Sequence, residues 1–127
     1  MPLVRIDLRK GRPAGERRAI ADGVHQALVE AIGIPEQDRF QVVTEHDEAG
    51  LIFDPTYLGI SRSDKVVFIQ IAISVGRPVE KRTAIFERIA ARLEGLVRPE
   101  DVLVNLVETQ KENWSFGNGI AQYAAKP

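Results

Sequence analysis

The chain opens Met-Pro. Aminopeptidases remove an initiator Met that precedes a small residue, and Pro2 qualifies. Its nitrogen is then a free secondary amine; with Met1 attached it is an amide without basicity. Shielding an amine from water disfavours its cation and lowers its pKa toward neutrality. Such a group works as a general base or acid. Other chemistries find no residues to support them. The chain has no cysteine, which excludes disulfides, thiol nucleophiles and zinc–thiolate sites. His25 and His46 lie far apart in sequence. The acidic run at 45–48 offers no i, i+4 metal pair and reads as a solvated loop. Gly117-Asn118-Gly119 follows a strand-like segment and reads as a turn, not a phosphate loop. No Ser–His–Asp set can be assembled from the spacing.

An amine at position 2 is useful only if the fold shields it, and the folding units are written twice. The segment GRPAGERRAI (11–20) recurs as GRPVEKRTAI (76–85), identical at six of ten positions. Ahead of the first copy, Val4, Ile6 and Leu8 alternate with Leu3, Arg5 and Asp7, which predicts a strand. Ahead of the second, VVFIQIAI (66–73) is almost continuously apolar, which predicts a strand covered on both faces. After the first copy, Ile20, Val24, Ala27, Leu28, Ala31 and Ile32 follow helical spacing; after the second, Ile85, Ile89, Leu93 and Leu96 do so. Pro13 and Pro78 mark the helix starts, and Gly33, Pro35 and Pro99 mark the stops. Strands at 39–45 and 102–108 follow the matching phrases IPEQD and VRPED.

Each half therefore predicts a right-handed strand–helix–strand unit. The expected fold is α/β (α+β), with tandem β-α-β units forming a four-stranded sheet that carries two helices on one face. One domain over 1–127 is expected, duplicated at about 1–63 and 64–127. Two helices cover one face of such a sheet. The strand at 66–73 needs both faces dry, so a second copy of the chain in a closed ring is predicted to cover the other. Position 66, the counterpart of Pro2, is mid-chain Val66. Only the first half can own a terminal amine.

The charge balance narrows the partners. A net charge of −1 and a pI near 6.1 leave no basic field for nucleic acid or an anionic membrane. RNA-binding aromatics are missing from the expected central strands. No apolar run approaches the roughly 18 residues of a membrane span, and the first residues lack a signal-peptide pattern. A soluble cytoplasmic protein is expected.

Four segments in order, MPLVRIDL (1–8), PEQDRFQVV (35–43), LGISRSDKVV (58–67) and ENWSFGNG (112–119), resemble the tautomerase superfamily. The resemblance is strongest to its malonate semialdehyde decarboxylase-like branch. It implies a homotrimer of fused β-α-β units, an amino-terminal proline as catalytic acid or base, a small carboxylate-bearing substrate, and no metal or cofactor. Pro2 matches the catalytic proline. Asp38 matches the aspartate that assists the proline or a water; it also reads as a loop carboxylate before a strand. Trp114 and Phe116 match the aromatic wall of the pocket; they also read as core or interface packing. The decarboxylase carries a Ser-Arg-Pro-Arg segment after its third strand. Here the chain reads SVGRPV (74–79), which keeps Ser74 and leaves Arg77 as the one arginine. One guanidinium can hold a carboxylate in a bidentate pair, but it cannot also polarise a ketone as two could. Arg77 equally reads as a helix-start residue, because Arg12 occupies the same place in the first repeat. Arg39, beside Asp38, is a second candidate carboxylate partner or a surface charge. The expected activity is keto–enol tautomerisation of a small 2-keto or enol acid. Malonate semialdehyde decarboxylation or hydration is the runner-up, and a catalytically silent trimeric binding protein the alternative from another class.

Overall fold

The computed structural model describes residues 1–124. Strand β1 spans Leu3–Arg9, helix α1 Ala14–Ile32, β2 Gln41–His46, β3 Val67–Ser74, α2 Val79–Arg92 and β4 Val102–Thr109. The strands form one sheet in the order β2-β1-β3-β4. Within each half the two strands are parallel, Val4 opposite Gln41 and Val67 opposite Val102. The halves meet in antiparallel register, Leu3 opposite Ala72. This is the tandem β-α-β architecture that the repeat predicts.

Alternation along the strands explains the layering. Val4, Ile6 and Leu8 of β1 and Ile69, Ile71 and Ile73 of β3 are all buried. They meet Ile20, Val24 and Leu28 of α1 and Ile85 and Ile89 of α2 in one continuous core. Each such fully buried side chain contributes roughly 1.5–3 kcal/mol. The two helices approach closely at Gly23, where a Cβ would sit 2.9 Å from Leu93 Cδ2 and 3.3 Å from the Arg92 carbonyl oxygen.

Both repeat prolines sit at the N-caps of their helices, with φ −60° and −67°. Their carbonyls accept from the amides of Glu16 and Arg17 in one half and Lys81 and Arg82 in the other. Gly33 ends α1 in the left-handed region, φ 68°, with its N–H on the Val29 carbonyl. Helix α2 stops at Arg92, a turn before the apolar spacing ends at Leu96. The chain leaves the helix through Gly95 at φ 86°, and Leu96 packs against the core from outside it.

The other sheet face carries no helix. Leu3, Val42, Leu103 and Val107 are about two-fifths exposed there, at 37%, 39%, 45% and 41%. Phe68 and Ala72 on the same face of β3 are half-buried, and Gln70 is exposed. Strand β3 is thus dry on one face only within a single chain. Among the described residues no helix is long and apolar enough to cross a membrane.

Candidate active site

The sheet register brings four separate segments to one place. Because β1 runs antiparallel to β3, its start lies beside the end of β3, near Ser74. Because β2 runs parallel to β1, the segment leading into it, with Asp38, arrives at the same end; the Val4 amide donates to the Phe40 carbonyl at 3.0 Å. Because β4 runs parallel to β3, its last residue Thr109 pairs with Ser74 and releases Lys111 beyond it. A cavity of about 420 Å3 opens there, lined by Met1, Asp38, Ser74, Arg77, Lys111 and Tyr123, with the backbone of Gly33–Pro35 as a further wall.

Pro2 is buried at the head of β1. The Met1 amino group lies 2.6 Å from Asp38 Oδ2, and both side chains are largely shielded, at 8% and 15% exposure. Met1 itself lines the cavity, and the Ser74 hydroxyl approaches its sulfur at 3.5 Å. Arg77 is half-buried at the entry to α2, where its Nη1 donates to the Ser74 carbonyl at 3.1 Å. Among the described residues it forms no ion pair with a carboxylate.

Arg39 goes elsewhere. Its Nη2 donates to Asp22 Oδ1 at 2.6 Å and its Nε to Gln41 Oε1 at 2.9 Å. The hydrogen bond from Arg39 is the main reason that the Asp22 carboxyl is held below its ordinary value of 3.8. Arg39 lines a wider groove of about 500 Å3 with Arg17 and Arg18. Those arginines are already engaged, Arg17 with Glu45 and Arg18 with Asp22. Within one chain the structure therefore does not bring Arg39 to the Asp38 cavity.

Trp114 and Phe116 stack at 5.6 Å with their rings 7° from parallel. Phe116 meets Tyr123 edge-on at 5.3 Å and Phe40 at 5.8 Å. The Trp114 Nε1 donates to Thr109 Oγ1 at 2.6 Å, which ties the aromatic group to the end of β4. Tyr123 is the member that lines the cavity; Trp114 and Phe116 stand behind it. Tyr123, Phe40 and Lys111 were not signalled by sequence. Phe40 leads into β2, Lys111 follows β4 and Tyr123 lies in the loop beyond, so the sheet register and the aromatic packing place them.

The matching end of the second half also holds a cavity, of about 340 Å3, lined by Arg9, Lys10, Arg12, His46 and Asp64, but the counterpart residues there are taken up by protein partners. Asp101, counterpart of Asp38, is 2% exposed and accepts from both the amide and the hydroxyl of Ser63 at 2.7 Å. Arg12, counterpart of Arg77, is 6% exposed. It donates to the carbonyls of Leu96 at 3.0 Å and Lys65 at 2.8 Å and pairs with Glu16 at 2.6 Å. The same repeat thus yields a buried arginine held by three protein partners at one end and a half-buried arginine held by one carbonyl at the other.

Two family models described as tautomerase enzyme match the chain, over residues 38–117 and 2–61. YusQ of Bacillus subtilis, described as a probable tautomerase, is 38% identical over 124 residues, covering 96% of this chain and 98% of its own length. A crystal structure of a malonate semialdehyde decarboxylase inhibited by 3-bromopropiolate superposes with a TM-score of 0.91 at 42% identity, covering 98% of this chain and 99% of that one. A fused 4-OT described as a symmetric trimer shares the fold at a TM-score of 0.80 and 20% identity, over 98% of this chain and 99% of that one. With a family model over most of its length and so similar a full-length relative, the chain belongs to the tautomerase family of enzymes.

Proposed function

We propose that the chain, once Met1 is removed, is a tautomerase that moves a proton between carbon and oxygen of a small 2-keto or enol acid. One observation carries the reading: a terminal amine meets Asp38 at 2.6 Å inside a cavity that also holds Arg77. Adjacent backbone nitrogens lie within ~4 Å of each other. Loss of Met1 therefore frees the Pro2 nitrogen beside the same carboxylate and vacates the space that Met1 fills. Arg77 pairs with the substrate carboxylate. Pro2 takes the proton from the carbon alpha to the carbonyl as the enolate forms, and the pyrrolidinium returns it to oxygen; the reverse order ketonises an enol. Asp38 sets the protonation state of Pro2. Tyr123 forms the aromatic wall, backed by the stacked Phe116 and Trp114. Arg39 serves this site only if a neighbouring subunit presents it. The reading calls for no metal and no cofactor.

The chemistry is tested by ketonisation of an enol acid by Met1-free protein with EDTA present. Turnover above the buffer rate is expected, and a buffer-level rate overturns the reading. Decarboxylation or hydration in the same cavity is the second reading, supported by the 42% identical decarboxylase. Release of carbon dioxide from malonate semialdehyde faster than enol ketonisation would put it first.

We read the two β-α-β units as a duplication within one domain and the assembly as a homotrimer. The uncovered sheet face with its exposed Leu3, Leu103 and Val107 supports the trimer. So does the symmetric trimer described for the fused 4-OT. Light scattering should give three times 14.1 kDa, and the monomer mass would refute the assembly.

A further inference from the structure

We propose that Lys111 is a second substrate-binding cation, and that with Arg77 it makes the cavity select ligands bearing two anionic oxygens over simple monocarboxylates. The inference rests on the tautomerase reading of this cavity and deepens it by naming the charge state that the site recognises. Two observations support it. The first is placement. The Val75 amide donates to the Thr109 carbonyl at 2.8 Å, which locks the end of β4 against the segment that leads to Arg77. Lys111 follows two residues later and lines the same cavity as Arg77 and Asp38. Its neighbour Glu112 does not line it.

The second observation is the charge balance inside the cavity. Among the described residues Asp38 is its one carboxylate lining residue, and the terminal amino group already pairs with it. That leaves Arg77 and Lys111. Arg77 has the neutral Ser74 carbonyl as partner, and Lys111 has no ion pair or side-chain hydrogen bond among the described residues. Two cations facing one partly enclosed space repel each other, and the repulsion is relieved when an anion enters. A ligand with two negative charges balances them. The enolate of a 2-keto acid is such a species, with its carboxylate on one cation and the developing enolate oxygen on the other. Lys111 is exposed, so its flexible stem can bring the ammonium to either oxygen.

The test uses oxalate, a planar dianion with the oxygen arrangement of that enolate, and acetate as the monoanion. Both are titrated calorimetrically into Met1-free protein. Lys111→Met should weaken oxalate by about 10- to 100-fold, the loss of one charge-assisted contact. Acetate should change by less than about threefold, because Arg77 still holds it, and Lys111→Arg should restore most of the oxalate affinity. Unchanged oxalate binding in Lys111→Met, or equal losses for oxalate and acetate, would overturn the proposal. Pro2→Ala separates the two readings. If oxalate preference survives in Pro2→Ala and depends on Lys111, the anion site stands even where ketonisation shows that Pro2 is not the base.

Discussion

Protein that retains Met1 is expected to ketonise a small enol acid about 100- to 10,000-fold more slowly than the same protein after Met1 is removed, the usual size of a general acid–base contribution. Three features combine. With Met1 in place the Pro2 nitrogen is an amide and binds no proton. The Met1 amine starts one residue further out than the Pro2 nitrogen, so it does not present a base at the same point of the cavity. The Met1 residue also lines the cavity of about 420 Å3 and so narrows the space open to a substrate. Treating purified chain with a methionine aminopeptidase and following the enol chromophore before and after gives the ratio directly. Equal rates in the two forms would assign the proton transfer to another group.

The two repeat arginines should fail in opposite ways. Arg12 is buried and its guanidinium satisfies two backbone carbonyls and Glu16. Arg12→Met removes a buried guanidinium and its part-buried hydrogen bonds to all three, each worth about 1–3 kcal/mol for a charged donor. Urea unfolding should show a loss of about 3 kcal/mol, with kcat/KM at 25 °C within about threefold of the parent. Arg77→Met removes one bond to the Ser74 carbonyl at the edge of the cavity. Stability should fall by less than about 1 kcal/mol, while kcat/KM falls about 100-fold through the lost carboxylate pair. If Arg77→Met destabilises as much as Arg12→Met and leaves kcat/KM unchanged, Arg77 is a helix-start brace like its counterpart.

That contrast also marks where the sequence stops speaking. Strands, helices and their pairing into two units were legible because Pro13, Pro78 and Gly33 punctuate a clear alternation of apolar residues. The early end of α2 was not, because Leu96 continues the helical spacing from outside the helix. Nothing in GRPAGE and GRPVEK distinguishes a fully engaged, buried arginine from a half-buried one with a single partner. The difference arises from what arrives opposite: the Leu96 and Lys65 carbonyls and Glu16 at Arg12, and the Ser74 carbonyl alone at Arg77. Arg39 illustrates the converse. It is adjacent to Asp38 in sequence, yet neighbouring residues entering a strand point apart, and Asp22 on α1 draws the guanidinium to the helix side. Lys111 and Tyr123 reach the cavity through the β3–β4 register and the packing of Tyr123 on Phe116, neither of which is a property of local sequence.

The claim that a terminal proline amine does the chemistry has a direct test in the intact mass of the protein after incubation with 3-bromopropiolate at neutral pH. Met1-free chain should gain one adduct, mapped by peptide sequencing to Pro2, and chain retaining Met1 should gain none. A free Pro2 that stays unmodified, or an adduct confined to a lysine, would contradict it and leave the family fold here without the proline chemistry.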